Sequence, residues 1–319
     1  MKLRGINFGN VFVASGTLNF FGEGWRHHKI FKILFGLSFK GATFVSKTTT
    51  LNYRKGNLAL NANLQPQLLF PDCIRVRPVK RVVLNSVGLS GPGADYLFAQ
   101  GLWQKRTDPF LISFMSVEST KEKRVEEAKK FAEILAKEFP GFSAKVGLEL
   151  NISCPNTSHR PSELIGDAVN QLQVFSSLCI PVVLKINALT PMDAAIQVAD
   201  SGLCDAISVS NTIPWGQLPE EIDWWEIFGS TESPLKHLGG GGLSGYPLLP
   251  IVGRWISEAR KKGVTIPIIG GDGILKNADV NFLRDHGANA IAVGSVAILR
   301  PWRVQRIIKR ANRIYGGDY

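Results

Sequence analysis

Eight short apolar runs are spaced along the whole chain, and segments of helical periodicity separate most of them. The runs cover residues 11–15, 43–47, 111–115, 146–152, 182–186, 206–209, 267–270 and 290–294. Their length is that of buried strands rather than of buried helices. Residues 119–138 are the clearest helix between them: Ser119 and Glu122 have capping-box spacing, Val125, Ala128, Ala132 and Leu135 form one face, and Pro140 follows the end. Residues 192–201, 248–261 and 278–285 read as further helices, stopped by Gly202, Gly263 and Gly287. Eight alternating units with a glycine-rich last quarter predict an α/β fold, a (β/α)8 TIM barrel, rather than an open doubly wound sheet. At 319 residues the chain suits one such barrel, so a single domain over 1–319 is expected. Two segments, 51–83 and 213–237, break the alternation and read as loop excursions that cover the active face.

The chemistry begins at residues 145–157, KVGLELNISCPNT. Val146, Leu148, Leu150 and Ile152 alternate with Gly147, Glu149, Asn151 and Ser153, the period of a strand. Pro155 forces an extended or turn conformation on Cys154 and so stops the strand at a thiol flanked by the carboxamides of Asn151 and Asn156. A parallel α/β enzyme places its reactive groups at such carboxyl ends of strands. A buried structural cysteine is the competing reading for this stretch taken alone.

Three glycine clusters close the chain: GGGGLSG at 239–245, GGDG at 270–273, and Gly294-Ser295. The second and third follow the last two apolar runs, where barrel enzymes hold a cofactor phosphate with exposed backbone amides. Lys47 and Lys185 each end an apolar run, in VSK and VVLK. An unpaired buried ammonium costs several kcal/mol, and no Asp or Glu ends the neighbouring runs. Each lysine is therefore expected to meet a bound anion rather than a salt bridge. Asn211 and Thr212 add a carboxamide and a hydroxyl after the run that ends at Val209.

Composition narrows the partners. The four cysteines, at 73, 154, 179 and 204, lack the paired spacing of zinc or iron–sulfur ligands, so no metal is expected. No run is long enough to span a bilayer and the first sixteen residues lack a signal-peptide core, so the expected location is the cytoplasm. A net charge of +11 admits a phosphate cofactor, nucleic acid or an anionic membrane. The terminal segment, with Arg303, Arg306, Lys309, Arg310 and Arg313, reads as a solvated basic face. A nucleic-acid partner is not expected. Residues 24–41 carry four Lys or Arg, two His, no acid, and Trp25, Phe31, Phe35 and Phe39. They read either as a basic first barrel helix or as a segment in peripheral contact with a membrane.

Taken together, these motifs resemble the dihydroorotate dehydrogenases, flavin enzymes of pyrimidine biosynthesis. NISCPN at 151–156 is the most specific element. ASG at 14–16, SKTTT with RKGN at 46–57, NSVGL at 85–89, SNT at 210–212, GGLSG at 241–245 and the final GDG and GS accompany it in order. The resemblance implies that Ala14, Ser15, Lys47, Asn151, Lys185, Gly245, Gly273, Gly294 and Ser295 contact FMN. It assigns Lys47, Asn85, Val87, Gly88, Leu89, Asn151, Asn156, Asn211 and Thr212 to the dihydroorotate or orotate site. Cys154 is implied as the base that takes a proton from C5 while hydride leaves C6 for flavin N5. In the family a cysteine base marks the soluble class, and Arg160 matches a basic position in the mobile loop of the fumarate-using enzymes. The resemblance leaves the electron acceptor open among fumarate, NAD through a partner subunit, and quinone. A homodimer is the expected assembly, and His159, Arg160 and Pro161 are expected to lie on a loop that opens and closes over the substrate.

Three departures stand out. LALN at 58–61 replaces a proline-rich segment ending in arginine, Ser90-Gly91 replaces Pro-Asn, and Gly271-Asp272-Gly273 replaces GGG. They leave two alternatives to dihydroorotate oxidation. One is an FMN enzyme of another pyrimidine, resembling dihydropyrimidine dehydrogenase or tRNA dihydrouridine synthase. The other is a non-catalytic flavin-binding protein at a membrane surface.

Overall fold

The computed structural model describes residues 1–152 and 168–316. Its strands, in chain order, are β1 (Lys2–Leu3), β2 (Ile6–Asn7), β3 (Val11–Val13), β4 (Ile74–Arg77), β5 (Val82–Asn85), β6 (Phe110–Phe114), β7 (Val146–Asn151), β8 (Val182–Ile186), β9 (Ala206–Val209), β10 (Ile213–Pro214), β11 (Gly242–Gly245), β12 (Ile268–Gly270) and β13 (Ala290–Val293). Seven of them pair in parallel in the order β3-β13-β12-β9-β8-β7-β6. The two outer strands, β3 and β6, are joined through residues 43–49 by the parallel bridges Phe12–Thr43, Val45–Leu111 and Thr49–Phe114, which complete the expected barrel. Residues 43–47 thus hold the place of the second strand without forming a regular ladder. Two local hydrogen bonds explain why: Ser113 N–H donates to the Ser46 side chain, and Lys47 N–H donates to Asn19 O outside the barrel.

Strand alternation sorts the side chains into two layers. Val146, Leu148 and Leu150 of β7 pack outward in the main core between sheet and helices. Gly147, Glu149 and Asn151 have the opposite parity and face the barrel interior. At the amino-terminal end that interior is filled by Phe8, Phe12, Val45, Leu111, Val183 and Ile269, with Leu3 of the β1–β2 hairpin in the same cluster. The barrel is a packed floor below and a polar chamber above.

The helix Lys121–Glu138 is capped by Thr120, whose hydroxyl accepts from Lys123 N–H at 3.3 Å, and not by Ser119 as its spacing with Glu122 predicts. Its inner face holds Ala128, Phe131, Ala132 and Leu135 together with Arg124 and Glu127, while Val125 is only half-buried. The two charged residues are tolerated there because they bind the loop after β6. Glu127 Oε2 accepts from Val117 N–H at 2.7 Å, and Arg124 donates to Glu118 O at 3.1 Å. The helices Met192–Asp200, Leu248–Lys261 and Asn277–Asp285 lie within a residue of their expected bounds.

The two excursions from the alternation are more ordered than loops. They meet in one antiparallel sheet, β10-β11-β5-β4, in which β5 from the first pairs with β11, just past the second. Sequence periodicity could not show this pairing, because its partners lie about 160 residues apart, as in Leu84 with Leu243. The sheet covers the chamber: Ile74, Val83, Asn85 and Ser244 line it from above.

Candidate active site

One cavity of ≈ 1170 Å³, counting the space open to solvent, lies between the carboxyl ends of the barrel strands and this sheet. Its walls bring together Lys47, Asn85, Val87, Gly88, Leu89, Asn151, Asn211 and Thr212, all expected at a substrate. Ala14, Ser15, Lys185, Gly294 and Ser295, expected at a cofactor, line the same space. Gly245 and Gly273 do not line it. They pack against each other, since a side chain at Gly273 would sit 2.9 Å from Gly245 O and 2.8 Å from Leu249 Cβ. Cys154, Asn156, Arg160 and the loop expected over the substrate lie outside the described residues.

Below the cavity a continuous hydrogen-bond network fixes the polar side chains. Lys185 Nζ donates to Ser15 Oγ at 2.6 Å and lies 3.8 Å from Glu149 Oε1. Glu149 accepts from Ser113 Oγ at 2.7 Å, and Ser113 in turn lies 2.9 Å from Thr48 Oγ1. A hydroxyl has one proton to give. With Ser113 donating to Glu149, Thr48 must donate to Ser113. Thr48 then accepts from Asn151 Nδ2 at 3.1 Å and from Ser15 Oγ at 3.3 Å. Asn151 Oδ1 accepts from Asn211 Nδ2 at 3.0 Å, which orients both carboxamides at the cavity wall.

The Lys185–Glu149 pair corrects the expectation that Lys185 has no acidic neighbour. Strand-end residues were the wrong place to look: the register sets Val183 opposite Glu149 and Asn151 opposite Lys185. A lysine reaches back one inward position to the acid, and both side chains are buried. The parity of Glu149 with Asn151 in sequence already carried that signal.

Lys47 is held differently. Its Nζ donates to Ser90 O at 2.7 Å and lies 4.7 Å from the centre of the Phe20 ring. Burial pushes the ammonium down to about 7, against the opposing influence of Cys73 and Glu23. Ser90 links two of the sequence departures. Its Oγ accepts from Leu58 N–H at 2.9 Å and donates to Val87 O at 3.0 Å, so the 58–61 and 90–91 changes meet in one contact that also positions Lys47.

The third departure, Asp272, also reaches the cavity. Its backbone is left-handed, φ 65°, a conformation glycine adopts without strain. The Gly245 N–H hydrogen-bonds its carboxyl, while Oδ2 is shut from solvent without a hydrogen-bond partner among the described residues. Burial raises this carboxyl to about 7, with Lys185 and the Gly245 N–H opposing the rise. Trp25, His27 and His28 complete one wall, and no sequence pattern marked them as site residues. Their place depends on how the helix Arg26–Phe35 packs against the barrel, which periodicity does not specify.

Buried cations, oriented carboxamides and small residues make this a site for a flat polar anion beside a larger cofactor. The wall at Gly294 is narrow: a side chain there would lie 3.1 Å from Ala14 Cβ and 3.5 Å from Thr17 Oγ1. The donors suit an anionic flavin, and the unpartnered Asp272 oxygen suits it when the carboxyl is protonated and can donate.

Comparison with known proteins places these features in context. A family model described as dihydroorotate dehydrogenase matches residues 1–314. The catalytic subunit of dihydroorotate dehydrogenase B (NAD(+)) from Anoxybacillus flavithermus is 30% identical over 316 residues, covering 97% of this chain and 88% of that protein. Dihydroorotate dehydrogenase A (fumarate) from Lactobacillus helveticus is 32% identical over 302 residues, 92% and 86% of the respective chains. The ligand-free DHODH crystal structure from Eimeria tenella superposes with a TM-score of 0.67 over 99% of this chain and 87% of that one; at 19% identity this likeness speaks to the fold. Matched along almost its whole length and sharing the barrel, the chain belongs to the dihydroorotate dehydrogenase family.

Proposed function

We propose that the protein oxidises dihydroorotate to orotate with FMN, in pyrimidine biosynthesis. The observation that carries this reading is the shared cavity, in which Lys47 lines the same space as Asn211, Asn151, Ser15 and Lys185, the last four joined through Thr48 by one hydrogen-bond network. A pyrimidine with imide and carboxylate groups needs donors and acceptors for its edges and a cation for its anion. Asn85, Asn151 and Asn211 would supply the first, and Lys47 the second. Cys154, three residues beyond Asn151 in sequence, would take the proton from C5 as thiolate. FMN, when bound, supplies the acceptor for the hydride that leaves C6.

Lys185 would face the flavin as the cation that stabilises negative charge on its reduced ring. Ser15 accepts from that lysine and is itself bonded to Thr48, which gives the ammonium a second partner besides Glu149. Ser295 and the backbone at Gly294 would meet the ribityl phosphate end. The Asn151 carboxamide, locked between Thr48 and Asn211, would orient the substrate next to the base. The similarity to both fumarate-type and NAD-linked proteins supports either of those oxidants for the second half-reaction, with quinone the third candidate.

The test is an anaerobic titration of purified protein with dihydroorotate while the flavin absorbance is followed. Stoichiometric bleaching is expected. Protein that binds FMN but is not bleached would remove the substrate assignment, and protein that takes up no FMN would remove the cofactor as well.

A further inference from the structure

None of the ten residues of the helix Arg26–Phe35 is fully buried, and His27, His28 and Phe31 are half-buried. Its inner side is aromatic and does pack: His27 lies against Trp25, His28 and Phe31, and His28 against Phe39. The outer side is where an ordinary surface helix would be polar. Here Ile30, Ile33 and Leu34 are 46%, 84% and 65% exposed. Phe35 is 42% exposed, and Trp302, 5.5 Å away between ring centres, extends the patch with 43% exposure. Single exposed apolar residues need no explanation, but a contiguous group of this kind marks an interaction surface.

The charges carried by the segment 24–41 are of one sign. Arg26, Lys29, Lys32 and Lys40 are exposed, and no Asp or Glu occurs between residues 24 and 41. His27 and His28 add no charge at neutral pH, since burial lowers both and His28 is pushed down to about 3. Apolar side chains at the centre of an outward helix face, flanked only by cations, have the polarity of a helix lying in a lipid interface. Ten residues span roughly 15 Å, half the hydrocarbon thickness of a bilayer, and no described helix is long and apolar enough to cross a membrane. The geometry is that of an element lying on a surface.

We propose that the outer face of the helix Arg26–Phe35, with Trp302, docks the protein on an anionic lipid surface. Ile30, Ile33 and Leu34 enter the acyl boundary, and Arg26, Lys29 and Lys32 meet the headgroup phosphates. Docked this way, the cavity wall made by Trp25, His27 and His28 stands directly behind the lipid contact. The proposal does not depend on which substrate the cavity takes.

The test uses the full chain and sedimentation with two kinds of vesicle, phosphatidylcholine alone and phosphatidylcholine mixed with phosphatidylglycerol. The parent protein is expected to sediment with the anionic vesicles, to bind neutral ones much less, and to be released by salt. The double variant Ile33→Glu, Leu34→Glu should weaken anionic-vesicle binding by about tenfold or more, through lost apolar insertion and added repulsion. Lys29→Glu with Lys32→Glu should do the same while leaving the apolar face intact. All four side chains are exposed, so far-UV circular dichroism and thermal unfolding should match the parent, and the charge variant keeps the test open if the apolar one misfolds. A parent protein that stays in the supernatant with anionic vesicles overturns the proposal. So does vesicle binding that neither pair of substitutions changes. A concentration-dependent dimer that Ile33→Glu, Leu34→Glu dissociates, without any vesicle binding, assigns the face to a second copy and also overturns it.

Discussion

Lys185 and Glu149 form a buried ion pair, Nζ to Oε1 3.8 Å, across one step of the parallel register between β8 and β7. The pair places opposite charges beneath the proposed flavin, so the two residues should tune it in opposite directions. Lys185→Ala is expected to weaken FMN binding and lower the flavin reduction potential, because the cation opposes negative charge on the reduced ring. Glu149→Gln is expected to raise the potential, since Lys185 keeps Ser15 and loses its anion. A spectroelectrochemical titration of both variants checks this. Shifts of the same sign would show that the pair acts on structure and not on the flavin.

Asp272 gives a pH dependence with a defined sign. Its ordinary value of 3.8 is raised to about 7 by burial, so between those values the folded chain keeps a proton that the unfolded chain has lost. Stability from this group is therefore fully present below about pH 4 and is lost as pH rises to about 7. Asp272→Asn is neutral throughout and escapes that loss. In flavin-free protein the stability advantage of the variant should grow across this window by on the order of 1 kcal/mol per pH unit, then level off. Urea unfolding of both proteins at several pH values measures it. A constant difference between them would mean that the carboxyl titrates as an exposed group does.

The same residue shows how much the sequence made legible. Helical and strand periods located the barrel, because burial on one face imposes them locally. Lys47, Asn151, Lys185 and Asn211 were readable as site residues because polar groups at the ends of apolar runs are costly to bury without a task. The departures at Leu58, Ser90 and Asp272 were visible only as changes. That Leu58 N–H binds Ser90 Oγ while Ser90 O holds Lys47 follows from loop packing between residues more than thirty positions apart. No periodicity encodes such a contact. Trp25, His27 and His28 were missed for a related reason, since apolar residues lie on the exposed side of their helix as well as on its half-buried inner side, and the period does not tell the two apart.

Gly147 tests the packed floor independently of the site. A methyl group there would sit 2.8 Å from Leu111 Cδ2, 3.0 Å from Pro181 O and 3.2 Å from Phe8 Cζ. The carbonyl cannot yield without disturbing β7–β8 pairing, in which Leu148 N–H donates to Pro181 O at 2.8 Å. Gly147→Ala should cost roughly 1–3 kcal/mol, the usual penalty of overpacking. A urea midpoint equal to that of the parent would mean that Leu111, the Pro181 carbonyl and Phe8 all give way without cost.

The base assignment can be tested through its acidity. A thiol with an unperturbed pKa of about 8.5 is mostly protonated at neutral pH, so flavin reduction by dihydroorotate should accelerate as pH rises through the pKa of Cys154. A serine hydroxyl is far less acidic, and Cys154→Ser should slow reduction by about 10²-fold or more, the usual contribution of a positioned base. FMN and orotate binding should persist in the variant, because Lys47, Lys185, Asn151 and Asn211 keep their partners. The retained binding separates a chemical role from a structural one, since a serine that merely loosened the site would lose affinity along with rate. Stopped-flow measurement of flavin bleaching across pH, with orotate affinity determined in parallel, distinguishes the two. Reduction of Cys154→Ser at the parent rate and with the parent pH profile would leave Cys154 without a part in proton removal, and the base would have to be sought elsewhere in the chain.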